Sequence, residues 1–220
     1  MFKQILSKLS AFILALAMPV VAYAHHPLAG APMETFIHGF MSGIGHPILG
    51  FDHLYFILVM GASATFTSLR YISPLAYIGA MLVGCLAMTY GISLPAKELV
   101  ISASILILGI LVFRGKTLSS YTSLTLFGVF GLFHGSAFGE TIFAQESTMD
   151  MDILMGYLFG LAAIQYTVAI GVGLVINRYM KVLEAIDLRV RLLGAMVAGA
   201  GSLLVLEHIE GLAFTALNIS

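Results

Sequence analysis

Charge is scarce in this 220-residue chain, cysteine occurs once, and no basic run is present. Only 10% of residues are charged and 60% are hydrophobic, against about 25% charged in a soluble domain. With a mean hydropathy of +1.02, the composition is that of an integral membrane protein. A formal net charge of −1 without a basic cluster argues against nucleic acid as a partner. No G-x-x-x-x-G-K-[ST] stretch occurs, so this chain hydrolyses no nucleotide. The lone Cys85 excludes an intramolecular disulfide and argues against a cysteine-based metal site. Set in an apolar segment, it reads as a small packing residue.

What is present is a series of long apolar runs. Residues 1–24 resemble a signal peptide, with Lys3 and Lys8 before an apolar stretch and Ala22–Ala24 as a cleavage site. An uncleaved first span is the alternative. Cleavage would leave 25–220 as a single membrane domain starting at His25, outside the cytoplasm. Six spans are expected near 48–68, 72–92, 96–113, 121–139, 153–177 and 191–213, each about the length needed to cross a bilayer. Gly131, Gly135 and Gly139 recur every fourth residue and predict a close-packing stripe. With the mature N-terminus periplasmic, the cytoplasmic loops hold Arg70, Arg114, Lys116, Arg178, Lys181, Arg189 and Arg191, and the outer loops only Lys97. That asymmetry is the positive-inside pattern of a multi-pass inner-membrane protein. Glu34, Glu98, Glu140, Glu146, Asp150 and Asp152 collect on the outer side, where negative charge concentrates cations. For Glu98, Asp150 and Asp152, solvation of loops is the simpler reading.

Before the first span, Met33, Phe36, Ile37, Phe40, Met41 and Ile44 share one helical face, with Glu34, His38 and Ser42 opposite. That pattern predicts a short amphipathic helix at the outer membrane surface. His38 reads equally well as a solvated polar residue or as a ligand.

The first span then opens with ionisable groups, in "GHPILGFDHLYFILVMGASATF". Such groups cost roughly 2.5–3.5 kcal/mol each inside a bilayer on insertion scales, so they are rare there and usually functional. At 1.5 Å of rise per residue, Asp52 and His53 lie about 6–8 Å below the outer surface. His134 lies about 20 Å up a span rising from the cytoplasm, and Glu207 and His208 about 24–26 Å up another. Three spans thereby place titratable groups at one level. Imidazole with carboxylate suits divalent first-row metals such as nickel, cobalt, zinc or manganese. Met149, Met151 and Met155 would be needed for Cu(I), and read more simply as core. Pro47 suits a first helical position, which puts His46 in the turn above Asp52. His134 and Glu140 are about 120° out of register on a continuous helix, so both face one ion only if the helix ends near Gly139. Any single histidine here can instead be a buried, hydrogen-bonded structural residue.

Two motifs resemble the HupE/UreJ family of bacterial metal permeases. "HPILGFDH", His46 to His53, matches its His-x5-Asp-His pattern, and "FHGSAFGE", Phe133 to Glu140, resembles its second signature. The likeness covers most of the mature chain, including "IQY" at Gln165. Glu140 follows Gly139 directly and position 141 is Thr, which resembles the cyanobacterial-type branch, where a further Glu follows, here Glu146. The resemblance implies an all-α bundle of about six transmembrane helices that takes up nickel or cobalt, with no permanently bound cofactor. His46, Asp52, His53, His134 and Glu140 are then the expected metal-binding residues, and zinc fits the same donors. His25, His26, His38, Glu146, Glu207 and His208 are further candidates, and Gln165, near mid-membrane, is a polar step along the path. The rival readings are an intramembrane metal-dependent hydrolase assisted by Ser136 or Glu140, and a metal-sensing or chaperone subunit. No H-E-x-x-H stretch supports the hydrolase.

Overall fold

In the computed structural model, residues 33–145 and 150–217 are described, and most of them are helical. The proposed signal peptide, His25, His26, Glu146 and Met149 lie outside them. Among the described residues, seven α-helices follow in order: α1 Phe36–Leu49, α2 Phe51–Ala64, α3 Ser73–Ala87, α4 Lys97–Phe113, α5 Ser120–Gln145, α6 Met151–Leu174 and α7 Leu188–Ala216. A 3-10 turn, Met88–Tyr90, extends α3, and a π turn, Val175–Tyr179, extends α6. Among the described residues, four helices are long and apolar enough to cross a membrane, or five if the bent pair α1–α2 counts as one span.

That bent pair corrects the expected first span. The chain does not run straight from Ile48; α1 and α2 meet at 79°. Pro47 lies in the last turn of α1 rather than opening the next helix. Without an N–H it cannot continue the ladder. Gly50 is extended, with φ −80° and ψ 99°, and its N–H bonds His46 O. The helix restarts at Phe51 with Asp52 in its first turn, where the positive end of the helix favours a carboxylate.

The short helix expected before the first span is present as α1, and it packs against α6. Thr35 caps α1 by accepting the His38 N–H, so a helix does form here. Its packed face is Gly39, Ser42, Gly43 and His46, while Phe36, Ile37 and Met41 point outward. Small residues let α1 and α6 meet backbone to backbone. A Cβ on Gly39 or Gly43 would collide with Ile153 O or Tyr157 O, and one on Gly156 or Gly160 with Phe36 O or Phe40 O.

The same device joins two further pairs. The predicted stripe packs α5 on α3: Cβ atoms at Gly131, Gly135 and Gly139 would meet Tyr77 O, Met81 O and Cys85 O. Gly109, Gly194 and Gly201 bring α4 and α7 together, and Arg191 Nε donates to Phe113 O at 2.9 Å. Helix α2 runs among the three pairs and touches every other helix. Phe56, Ile57, Val59 and Met60 on it are buried, as is Cys85, in keeping with a packing role. Helix α5 continues to Gln145, six residues past Gly139.

Candidate metal centre

The first turn of the central helix faces α5 across the middle of the bundle. There, His53 Nδ1 and His134 Nδ1 stand 3.0 Å apart, with His134 wholly buried and His53 nearly so. Their positions follow from backbone geometry. The bend at Gly50 aims the start of α2 inward, and a side chain at Gly50 would press on His53 Cδ2 at 3.0 Å and Asp52 Oδ1 at 3.2 Å. Gly131 and Gly135 draw α5 close against α3, which brings His134 beside Phe56 and Tyr77.

Aromatic rings wall the pair. Phe138 lies 4.2 Å from the His53 ring and Phe56 4.5 Å from the His134 ring, centroid to centroid. His46, from the end of α1, stacks edge-on to Phe138 at 5.2 Å and sits 5.9 Å from His53. The Tyr157 hydroxyl donates to Phe138 O at 3.2 Å and lies 3.3 Å from His46 Nδ1. Asp52 is partly exposed, and its Oδ2 is 3.8 Å from His53 Nε2. Because Nε2 and Nδ1 lie on opposite edges of the imidazole, the carboxylate and His134 flank His53 from two sides. On its other edge, His134 Nε2 is 3.1 Å from Ser104 Oγ of α4.

The structure therefore gathers His46, Asp52, His53 and His134. It does not bring the other described candidates to them. Glu140 is exposed and paired with Lys97 at 2.8 Å, because the unbroken α5 turns it away from His134. Glu207 and His208 line a groove with Ala96–Leu99 between the start of α4 and the end of α7. His38 accepts the Glu34 N–H at the start of α1. Gln165 is buried on α6, its Nε2 donating to Leu161 O, while its Oε1 has no partner. It faces Pro47, Ile48, Leu54 and Ile57 beneath the α1–α2 bend. Among the described residues, no three His, Cys, Asp or Glu side chains are gathered closely enough to hold an ion by themselves. The centre is a facing pair of nitrogens with a third imidazole and a carboxylate beside it.

Sequence reasoning missed Ser104, Tyr77 and Tyr157. Tyr77 shares the wholly buried shell of His134, and its hydroxyl has no partner. Ser136 is used structurally: its Oγ accepts the Leu94 N–H at 3.0 Å.

A bundle of apolar, glycine-packed helices around a buried imidazole pair is the architecture of a multi-pass membrane protein. The family model described as HupE / UreJ protein matches residues 13–204. The chain is also 30% identical over 202 residues to Protein HupE of Rhizobium leguminosarum bv. viciae, covering 90% of this chain and 97% of that one. The chain belongs to the HupE/UreJ family, which is a family of metal transporters rather than enzymes. No solved structure matches it.

Proposed function

We propose that this protein is an inner-membrane permease that takes up a divalent transition-metal cation, nickel or cobalt, from the periplasm. The observation that carries this reading is the facing Nδ1 pair of His53 and His134, 3.0 Å apart. Two imidazole nitrogens bound at a right angle to one ion, each at about 2.0–2.1 Å, would stand about 3 Å apart. Neutral imidazole is a donor suited to nickel, cobalt and zinc alike.

Asp52, at the partly exposed edge of His53, attracts the ion and is its first stop. The His53–His134 pair is the second stop, with His46 beside it. An ion that meets only two nitrogens keeps part of its hydration, and a site that holds weakly lets its cargo leave. Gln165 Oε1 and the Tyr77 hydroxyl, both buried without partners, supply polar steps further in. The Lys/Arg asymmetry supports a periplasmic location for the Glu140 end. Lys97 and Glu140 neutralise each other there, so Glu140 shapes the rim rather than binding the ion.

The test is flux into liposomes carrying the purified protein, run with nickel, cobalt, zinc, manganese and copper. Nickel or cobalt entering at rates above protein-free liposomes is the expected result. Turnover of a lipid or peptide without metal flux would instead establish the hydrolase. Metal binding without flux would establish a sensor or chaperone subunit.

A further inference from the structure

The hydroxyl of Ser104 touches two groups, and only one arrangement of its single proton satisfies both. Ser104 Oγ lies 2.6 Å from Ile101 O, one turn back on α4, and 3.1 Å from His134 Nε2. A carbonyl oxygen only accepts, so a contact of 2.6 Å requires the serine proton to be donated to it. The hydroxyl oxygen is then left with lone pairs alone, and His134 Nε2 must carry a hydrogen and donate it to Ser104 Oγ. Serine and histidine are both wholly buried, so no water competes for either position.

We infer that Ser104 is a positioning residue that holds His134 as its Nε2–H tautomer and leaves Nδ1 bare, facing His53. This rests on the permease reading for its purpose and not for its geometry. With His134 Nδ1 bare, the 3.0 Å contact to His53 is a hydrogen bond donated by His53 Nδ1. When a divalent cation takes the place of that proton, His53 carries its hydrogen on Nε2, the nitrogen that faces Asp52 at 3.8 Å. Each histidine thus has an oxygen beside its ε edge, Ser104 Oγ within hydrogen-bond reach at 3.1 Å for one and the Asp52 carboxylate at 3.8 Å for the other. Both δ edges are thereby turned toward the ion. Groups that orient a ligating imidazole in this way typically change metal affinity by 10–100-fold when removed.

The experiment uses full-length protein in nanodiscs, labelled with 15N-histidine and free of metal. The His134 signal is assigned by its loss in His134→Gln. The expected spectrum shows neutral His134 with the proton on Nε2, and Ser104→Ala converts it to a mixture of tautomers or to the Nδ1–H form. Titration with Co2+, followed by visible absorption, should show Ser104→Ala weakening binding by about 10–100-fold. Ser104→Thr, which keeps the hydroxyl, should restore both. Ser102→Ala, on the same helix and bonded to Glu98 O, should alter neither and controls for general damage to α4. Finding Nδ1–H on His134 in the unmutated protein, or an unchanged tautomer and Co2+ affinity in Ser104→Ala, would overturn the inference. Absence of metal flux in liposomes would overturn the permease reading while leaving the tautomer result standing.

Discussion

A histidine sealed among apolar helices is tolerated only if its nitrogens are occupied, since an unpaired buried polar group costs several kcal/mol in hydrocarbon. His134 meets that requirement with Ser104 on one edge and His53 on the other, and His53 meets it on its δ edge with His134. Asp52→Asn separates a packing role from an electrostatic one, because the two side chains have nearly the same size. In the proposed role of drawing in a cation, Asp52 needs its charge, so Asp52→Asn should bring uptake down to background while membrane insertion persists. Glu140→Gln removes an ion pair with Lys97 that lies apart from the imidazole pair, and should retain most uptake. Transport assays at matched expression check both. The two signature motifs were legible in the sequence because ionisable residues stand out in apolar surroundings. Ser104 and Tyr157 carried no such mark, since a serine or tyrosine in a membrane helix is commonplace. Glu140 was expected to share the ion with His134, and the continuation of α5 past Gly139 turned it outward.

Helices supply the precision on which those side chains depend. Three pairs meet through glycine faces, and the stripe at Gly131, Gly135 and Gly139 was readable from its four-residue spacing. Gly39 with Gly43, and Gly156 with Gly160, have the same spacing and went unread because the hydrophobic pattern of 33–44 pointed to a surface helix. The large apolar side chains Phe36, Ile37 and Met41 of that segment point outward, and its small face meets protein, which inverts the soluble-protein rule. Gly135→Val would drive a side chain into Met81 O, and backbone cannot step aside, so melting temperature and folded yield should fall sharply. Gly128→Val, with open space around the position, should be tolerated. Fluorescence-detected size exclusion with a heating series distinguishes them.

A second element-scale expectation concerns the start of α7. Asp187 accepts from the Arg189 N–H and pairs with its guanidinium at 2.9 Å, which lowers its pKa from 3.8 to about 2. A carboxylate with a depressed folded-state pKa contributes stability that is present above about pH 4 and lost as pH falls through 2. Wild-type protein should therefore lose more thermal stability between pH 4 and pH 2 than Asp187→Ala does. Equal losses in the two would show that the cap does not contribute.

At the scale of the whole molecule, composition alone identified a helical membrane protein, and the family follows from the match over residues 13–204. The 79° break between α1 and α2 was not legible. Pro47 reads as a helix start from local preference, and only the packing of α1 on α6 makes it a helix end. The break matters because it turns Asp52 and His53 from the side of a straight span to the start of a central one. Orientation is tested by single-cysteine variants on a Cys85→Ser background. Lys116→Cys should react with an impermeant thiol reagent only after the membrane is opened, and Asp150→Cys in intact cells. The reverse pattern would invert the topology and place the imidazole pair near the cytoplasm.

The central claim is that the cargo passes between His53 and His134. Nickel and cobalt flux should be measured in liposomes holding equal amounts of folded wild type, His53→Ala, His134→Ala and the double variant. Each single change should abolish flux, and the double should cost nothing further, because two groups that grip one ion fail as a unit. Flux through the double variant equal to that of wild type would contradict the account.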